Sequence, residues 1–219
     1  MIRWVQKKGC FAMNRKKDFL FRLLRFMIGQ SVAAVGASLM IALNWGSDAY
    51  NILTQGLAMQ LDLPHGTMSS IMQFVILVLC IPKGRKRIGL GTVICIFLVG
   101  TIVNTMIPVF APVATASIPI RVFCMFLIPL MIGSGVALVQ LADVGMSSND
   151  LLPLLFFEMQ HKFQFRTVRI LYDAVQCVIG LFLGGIIGVS SVVSLVLTGP
   201  IIQATVGLLR KCGLHERNR

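Results

Sequence analysis

The sequence predicts an all-α polytopic membrane protein: six transmembrane helices arranged as two inverted three-helix repeats, with short broken or re-entrant segments. Three observations carry this expectation. Of the 219 residues, 56% are apolar and 13% charged, where soluble domains run at about 45–50% and about 25%; mean hydropathy is +0.84. The charges fall in clusters that cut the apolar sequence into stretches of roughly 20 residues, the length that crosses a bilayer once. The chain also resembles itself when displaced so that Gly36 meets Gly135, Gly46 meets Gly145, Gly89 meets Gly188 and Gly100 meets Gly199.

Residues 1–20 form a basic extension, and the basic residues before the first apolar run are Arg3, Lys7, Lys8, Arg15, Lys16, Lys17, Arg22 and Arg25. Met13, followed by Asn14, Arg15, Lys16 and Lys17, is an alternative start. The run from Phe26 to Leu43 exceeds a signal-peptide core, so it is expected to stay as a first span over 22–43. A polar stretch over 44–65 follows, holding a short apolar piece, Ile52 to Met59. Span 2 covers 66–82, and Lys83 to Arg87 make a tight basic turn into span 3 over 88–107. Pro108, Pro112 and Pro119 predict an irregular outer loop. Span 4 covers 122–142 and ends at the polar stretch Asp143 to Asp150. Leu151 to Phe157 is too short to cross and is expected to be re-entrant or interfacial, like Ile52 to Met59. Spans 5 (167–184) and 6 (188–209) form a hairpin around Gly184, Gly185 and Gly188. The repeats are thus 21–110 and 111–210, followed by a basic tail at 211–219.

Loop charge orients these spans. Lys and Arg occur in the N-terminal segment, at 83–87, in 142–168 and in the tail, and are absent from 44–65, 108–120 and 184–188. That alternation predicts cytoplasmic N- and C-termini in a plasma membrane, which for a bacterium is the inner membrane. An odd number of spans per repeat makes the two repeats opposite in orientation, the arrangement in which transporters bind ligands at interrupted helices. The net charge of +12 sits in short clusters at span ends without interleaved aromatic residues, so lipid headgroups and not nucleic acid are the expected partner.

The chemistry-bearing residues are few. No CxxC, HExxH, GxSxG or phosphate-loop pattern occurs, and His65, His161 and His215 lie far apart. Neither a metal, a disulfide, a cofactor nor an enzyme activity is expected. The candidates for binding a substrate or ion are the broken segments, with Asn44, Ser47, Asp48 and Asn51 in the first and Asp143, Ser147 and Asp150 in the second. A half-helix start inside a membrane presents free N–H groups, and Ser147 with Asp150, or Ser47 and Asp48, have capping chemistry. Arg169 and Asp173, four residues apart, share one helix face and can pair. Ionisable residues at membrane depth are expected to face a bundle interior, where Tyr172 and Gln176 would add polar contacts. The Gly180, Gly184, Gly188 spacing predicts close helix packing, and Arg121 an interfacial anchor.

The order of these motifs is similar to that of the bacterial YczE/YyaS/YitT-type membrane proteins. It includes Arg22, Arg25 and Phe26, the run LNWGSDAYNILTQGLA at 43–58, Gly66-Thr67, Gly89-x-Gly91-Thr92 with Asn104, and the second-half run 168–202 with its Arg, Asp, Gly-Gly and Gly-Pro. The likeness covers about 20–205, and Ser190-Ser191 stand where the first repeat has Gly91-Thr92. The resemblance implies a polytopic bacterial inner-membrane protein and leaves its activity open. The expected function is a small secondary transporter or permease for a small molecule or ion. The alternative is a non-transporting membrane regulator or scaffold that docks through its basic loops. A homodimer is compatible with a chain of this size.

Overall fold

The computed structural model describes residues 15–85, 89–142, 144–160 and 164–211. The described residues are helical, with no strand among them. They form α1 (Arg15–Leu43), α2 (Ala49–Leu61), α3 (His65–Gly84), α4 (Leu90–Phe110), α5 (Ile118–Ala142), α6 (Ser148–Gln160), α7 (Phe165–Phe182) and α8 (Val189–Lys211), with a 3-10 turn at Ala111–Thr115 between α4 and α5. Five helices are long and apolar enough to cross a membrane: α1, α3, α4, α5 and α8. The chain is therefore a multi-pass membrane protein whose outer faces meet lipid. The expected fifth of six spans is α7, which falls short by this measure. Its 18 residues are long enough, but Arg166, Arg169 and Asp173 interrupt its apolar sequence.

The two short apolar pieces became full helices. Ile52 to Met59 is the centre of α2, and Leu151 to Phe157 the centre of α6; each helix has 13 residues. At about 1.5 Å per residue that is roughly 20 Å, too short for a bilayer core about 30 Å thick. The expected irregular loop after Pro108 is mostly helical, because α4 runs through Pro108 to Phe110 and the 3-10 turn continues to Thr115. A proline costs least where few backbone bonds remain to be lost.

The halves share an order of long helix, short helix, helix, helix. Adding the displacement that pairs Gly36 with Gly135 to the bounds of α2 returns those of α6, and adding it to the first residue of α4 returns that of α8. At the centre α1 packs along α5. Gly29 and Gly135 permit this: a Cβ on Gly29 would lie 2.7 Å from the Gly135 carbonyl oxygen, and one on Gly135 would lie 2.5 Å from that of Gly29. Small residues of this kind let membrane helices approach at backbone distance. α4 flanks α1 and α8 flanks α5. Phe26, Cys95 and Val103 fill one side of this layer, and Met40, Leu43 and Ile128 the other.

The remaining helices close a ring, in which α2 meets α3, α3 meets α6, α6 meets α7 and α7 meets α2. Gly56 and Gly180 carry the α2–α7 contact, where a Cβ on Gly180 would lie 2.6 Å from Leu53 N. The expected close packing therefore holds for Gly180, whereas Gly184 is a turn residue with φ +96. Each break crosses to the other half. Gly46, at φ +103, lies against Gly188, and Ser190 N donates to Trp45 O at 3.0 Å; Gly145 lies against Thr92 N, 2.9 Å from where its Cβ would be. Arg121 anchors the α1 end: its guanidinium sits 4.4 Å from the centre of the Trp45 ring, and Nη2 donates to Leu43 O at 3.4 Å.

Candidate functional site

The ring gathers most of the polar groups named above. α7 carries Arg169 on the face turned to α6. Its Nη1 donates to Asp150 Oδ1 at 2.5 Å and its Nε to Asp173 Oδ2 at 3.1 Å. The spacing within α7 predicts the second pair; only the fold supplies the first. Asp150 is free for this because the α6 start is held by the backbone, with Asp150 N and Leu151 N both donating to Ser147 O at 3.0 Å. The side chains of Arg169, Asp150 and Asp173 are 34%, 42% and 35% exposed.

Next to this triad, Asn149 joins α6 to α7. Its Oδ1 accepts from Tyr172 OH at 2.8 Å and from Gln176 Nε2 at 2.9 Å. Gln176 is 4% exposed, and its Oε1 is buried without a partner. A lone buried acceptor of this kind is costly.

The first half adds Asp48. It is the N-cap of α2, where Asp48 Oδ1 accepts from Asn51 N at 2.8 Å. Asp48 is exposed, yet burial is the leading influence on its carboxyl and pushes its pKa up. Asp173 adds repulsion, while the Asn51 N–H and Arg169 pull the other way. Asp48 is thus open at the surface while protein atoms crowd its carboxyl. Three carboxylates, one from the first half and two from the second, thus lie within electrostatic reach of a single guanidinium, and the cluster is net negative.

The other expected site residues separate from this group. Asn44 is exposed at φ 55 and ends α1, its N–H donating to Ile41 O at 3.2 Å, so it terminates a helix. Ser47 is buried in the break, 3% exposed. Asn51 turns toward α3, with Oδ1 3.4 Å from His65 Nε2, which also lies 3.3 Å from Thr54 Oγ1. Asp143 lies outside the described residues. Tyr50, whose OH donates to Ser69 O at 2.8 Å, and His65 are polar ring residues that the sequence did not single out as a site, whereas Asn149 belongs to the second broken segment it did. Tyr50 and Asn149 occupy equivalent positions in the two halves, which was the available signal. His65 had none, since only packing brings α3 beside α2. Among the described residues no group of three or more His, Cys, Asp or Glu is gathered to hold a metal ion.

Comparison with known proteins gives a family without an activity. The chain belongs to a family of unknown function, DUF6198, whose pattern matches residues 20–206. It is 25% identical over 181 residues to an uncharacterized protein of Haemophilus influenzae, covering 83% of this chain and 81% of that one. No solved structure matches it.

Proposed function

We propose that this member of the DUF6198 family is a small secondary transporter or permease of the bacterial inner membrane, with Asp48, Asp150, Arg169 and Asp173 forming its site for a cationic ligand or a proton. The observation that carries this reading is the convergence of carboxylates from both halves, beside the starts of the two short helices, on one ion-paired arginine. Membrane-embedded charges face cavities and ligand paths, and transporters place such sites where broken helices of two repeats meet.

The architecture belongs to the proposal. We read α7 as a sixth span, its charged face turned to the ring, which makes each half three spans and one re-entrant helix and sets the halves in opposite orientations. The matching helix bounds and the reciprocal seating of Gly46 on Gly188 and Gly145 on Thr92 support this. Both termini are then cytoplasmic. The narrower YczE/YyaS/YitT-type likeness fits the same architecture. We read the protein as transporting, without chemistry on its cargo. A net negative cluster with hydrogen-bonding groups spread around it suits a proton or an organic cation.

The test is electrogenic uptake in proteoliposomes, screened with monovalent organic amines under an imposed pH gradient. Amine-dependent current that is lost in Asp173→Asn and in Asp48→Asn supports the site. Current that survives in the double variant rejects it.

A further inference from the structure

Among the described residues, the two halves differ in how their last two helices meet. α3 lies along α4, but α7 makes no comparable packing with α8. In the first half a Cβ on Gly100 would collide with the Ser70 hydroxyl and lie 2.7 Å from Gly66 O. Ser70 Oγ donates to Ile96 O at 2.8 Å. Asn104 closes the end of this seam: Oδ1 accepts from Gly66 N at 2.8 Å and Nδ2 donates to Thr67 Oγ1 at 2.9 Å. The α3 start, which has Pro64 and no capping side chain of its own, is thereby capped from α4.

At the equivalent places the second half has Gly199 for Gly100, Gln203 for Asn104, Phe165 for Gly66 and Arg169 for Ser70. Gly199 and the side-chain amide of Gln203 keep the residue types of the seam and are unused, while Phe165 and Arg169 stand where its small residues were. Nothing lies within 4 Å of where a Cβ on Gly199 would be, Gln203 is exposed, and the α7 start has Gln164 with no side-chain cap. Only 6% of the apolar stretch of α8 is buried, against 28% for α4. Gln203 lies seven residues before Arg210, about 10 Å deeper in the membrane, where an amide facing lipid is unfavourable. An unpaired amide on α8 and an uncapped helix start on α7 are complementary groups on adjoining helices.

We propose that α8 is a gate that closes on α7, seating Gln203 on the α7 start and Gly199 over Arg169 as Asn104 and Gly100 seat on α3, and so seals the carboxylate cluster on that side. The inference rests on the inverted-repeat reading above. The pivot is the seating of Gly188 against Trp45 with the Ser190 N to Trp45 O bond, next to the positive-φ turn at Gly184. The structure then has the α3–α4 side shut and the α7–α8 side open, and transport would exchange the two.

The test is cross-linking of full-length protein in native membranes after replacement of its own cysteines. One pair is Phe165→Cys with Gln203→Cys, and the reference pair is Thr67→Cys with Asn104→Cys. Disulfide formation in both pairs is expected, each in a fraction of molecules that substrate or pH shifts in opposite directions. Cross-linking of the reference pair alone overturns the gate. A pair that disturbs folding is replaced by spin labels at Leu171→Cys and Val192→Cys, both on exposed positions; two distance populations are expected, and one overturns the proposal. Cross-linking without any flux would keep the gate and reject transport, while flux unaffected by the oxidised 165–203 pair would reject the gate and keep transport.

Discussion

The α3–α4 and α7–α8 pairs hold corresponding places in the helix order and end in different states. In the first, a glycine, a serine hydroxyl and an asparagine bring two helices to backbone distance and cap a helix start. In the second, the corresponding glycine and glutamine face outward, and the position of the serine is Arg169, held instead by Asp150 and Asp173. The contrast teaches that one glycine and one amide do not make a seam when Phe165 and Arg169 stand where Gly66 and Ser70 close the first. Packing in a membrane lacks a strong solvent-driven term, so a single ionic tie to another helix can decide which neighbour α7 keeps.

Six substitutions, in four predictions, would sharpen or break that contrast. The largest effect is expected at the seams themselves. Gly100→Leu must push α3 off α4 and should cost over about 3 kcal/mol, seen as loss of monodisperse protein in detergent, whereas Gly199→Leu should leave thermal stability within about 0.5 kcal/mol because its surroundings are empty. Equal effects would show that α7 and α8 are packed. Next is Arg169→Ala, which leaves Asp150 and Asp173 facing one another. For groups about one-third exposed the cost should be about 2 kcal/mol, below the range for fully buried pairs, and measured as a lowered unfolding midpoint.

Smaller is the difference between Asn104→Ala, expected to cost about 1–2 kcal/mol through the lost cap and Thr67 bond, and Gln203→Ala, expected to be near neutral in the same melt. The smallest effect concerns pH. The Asp48 carboxyl is raised above its ordinary 3.8, so the folded state binds the proton more tightly than the unfolded chain. Stability therefore falls as pH rises from 3.8 through the raised value. Asp48→Asn, which can still cap α2, should flatten that fall and modestly raise the melting temperature at neutral pH. A melt whose pH dependence is unchanged would place Asp48 in ordinary solvent.

Much of the fold was legible because a membrane imposes long apolar runs and clustered charges. Spans 22–43, 66–82 and 122–142 lie inside α1, α3 and α5. The short apolar pieces were legible as non-crossing but not as whole helices, since Ala49, Tyr50, Ser148 and Asn149 read as loop polarity until Asp48 and the Ser147 carbonyl are seen to start the helices. The ring could not be foreseen. Arg169 and Asp173 announce each other by spacing within one helix, whereas Asp150 is 19 residues away from Arg169, and Asp48 belongs to the other half.

By itself the sequence determined that this chain lives in a membrane and where its long apolar helices lie, because hydropathy and loop charge are local properties. The tertiary structure decided which polar residues meet. It sent Asn44 to a helix end and Asn51 to His65, joined Asp150 to Arg169, brought Asp48 within electrostatic reach of Arg169 and Asp173, and left Gln203 facing outward while Asn104 caps α3. Those outcomes depend on which helices lie side by side, a matter of backbone approach and ionic ties between segments far apart in the chain.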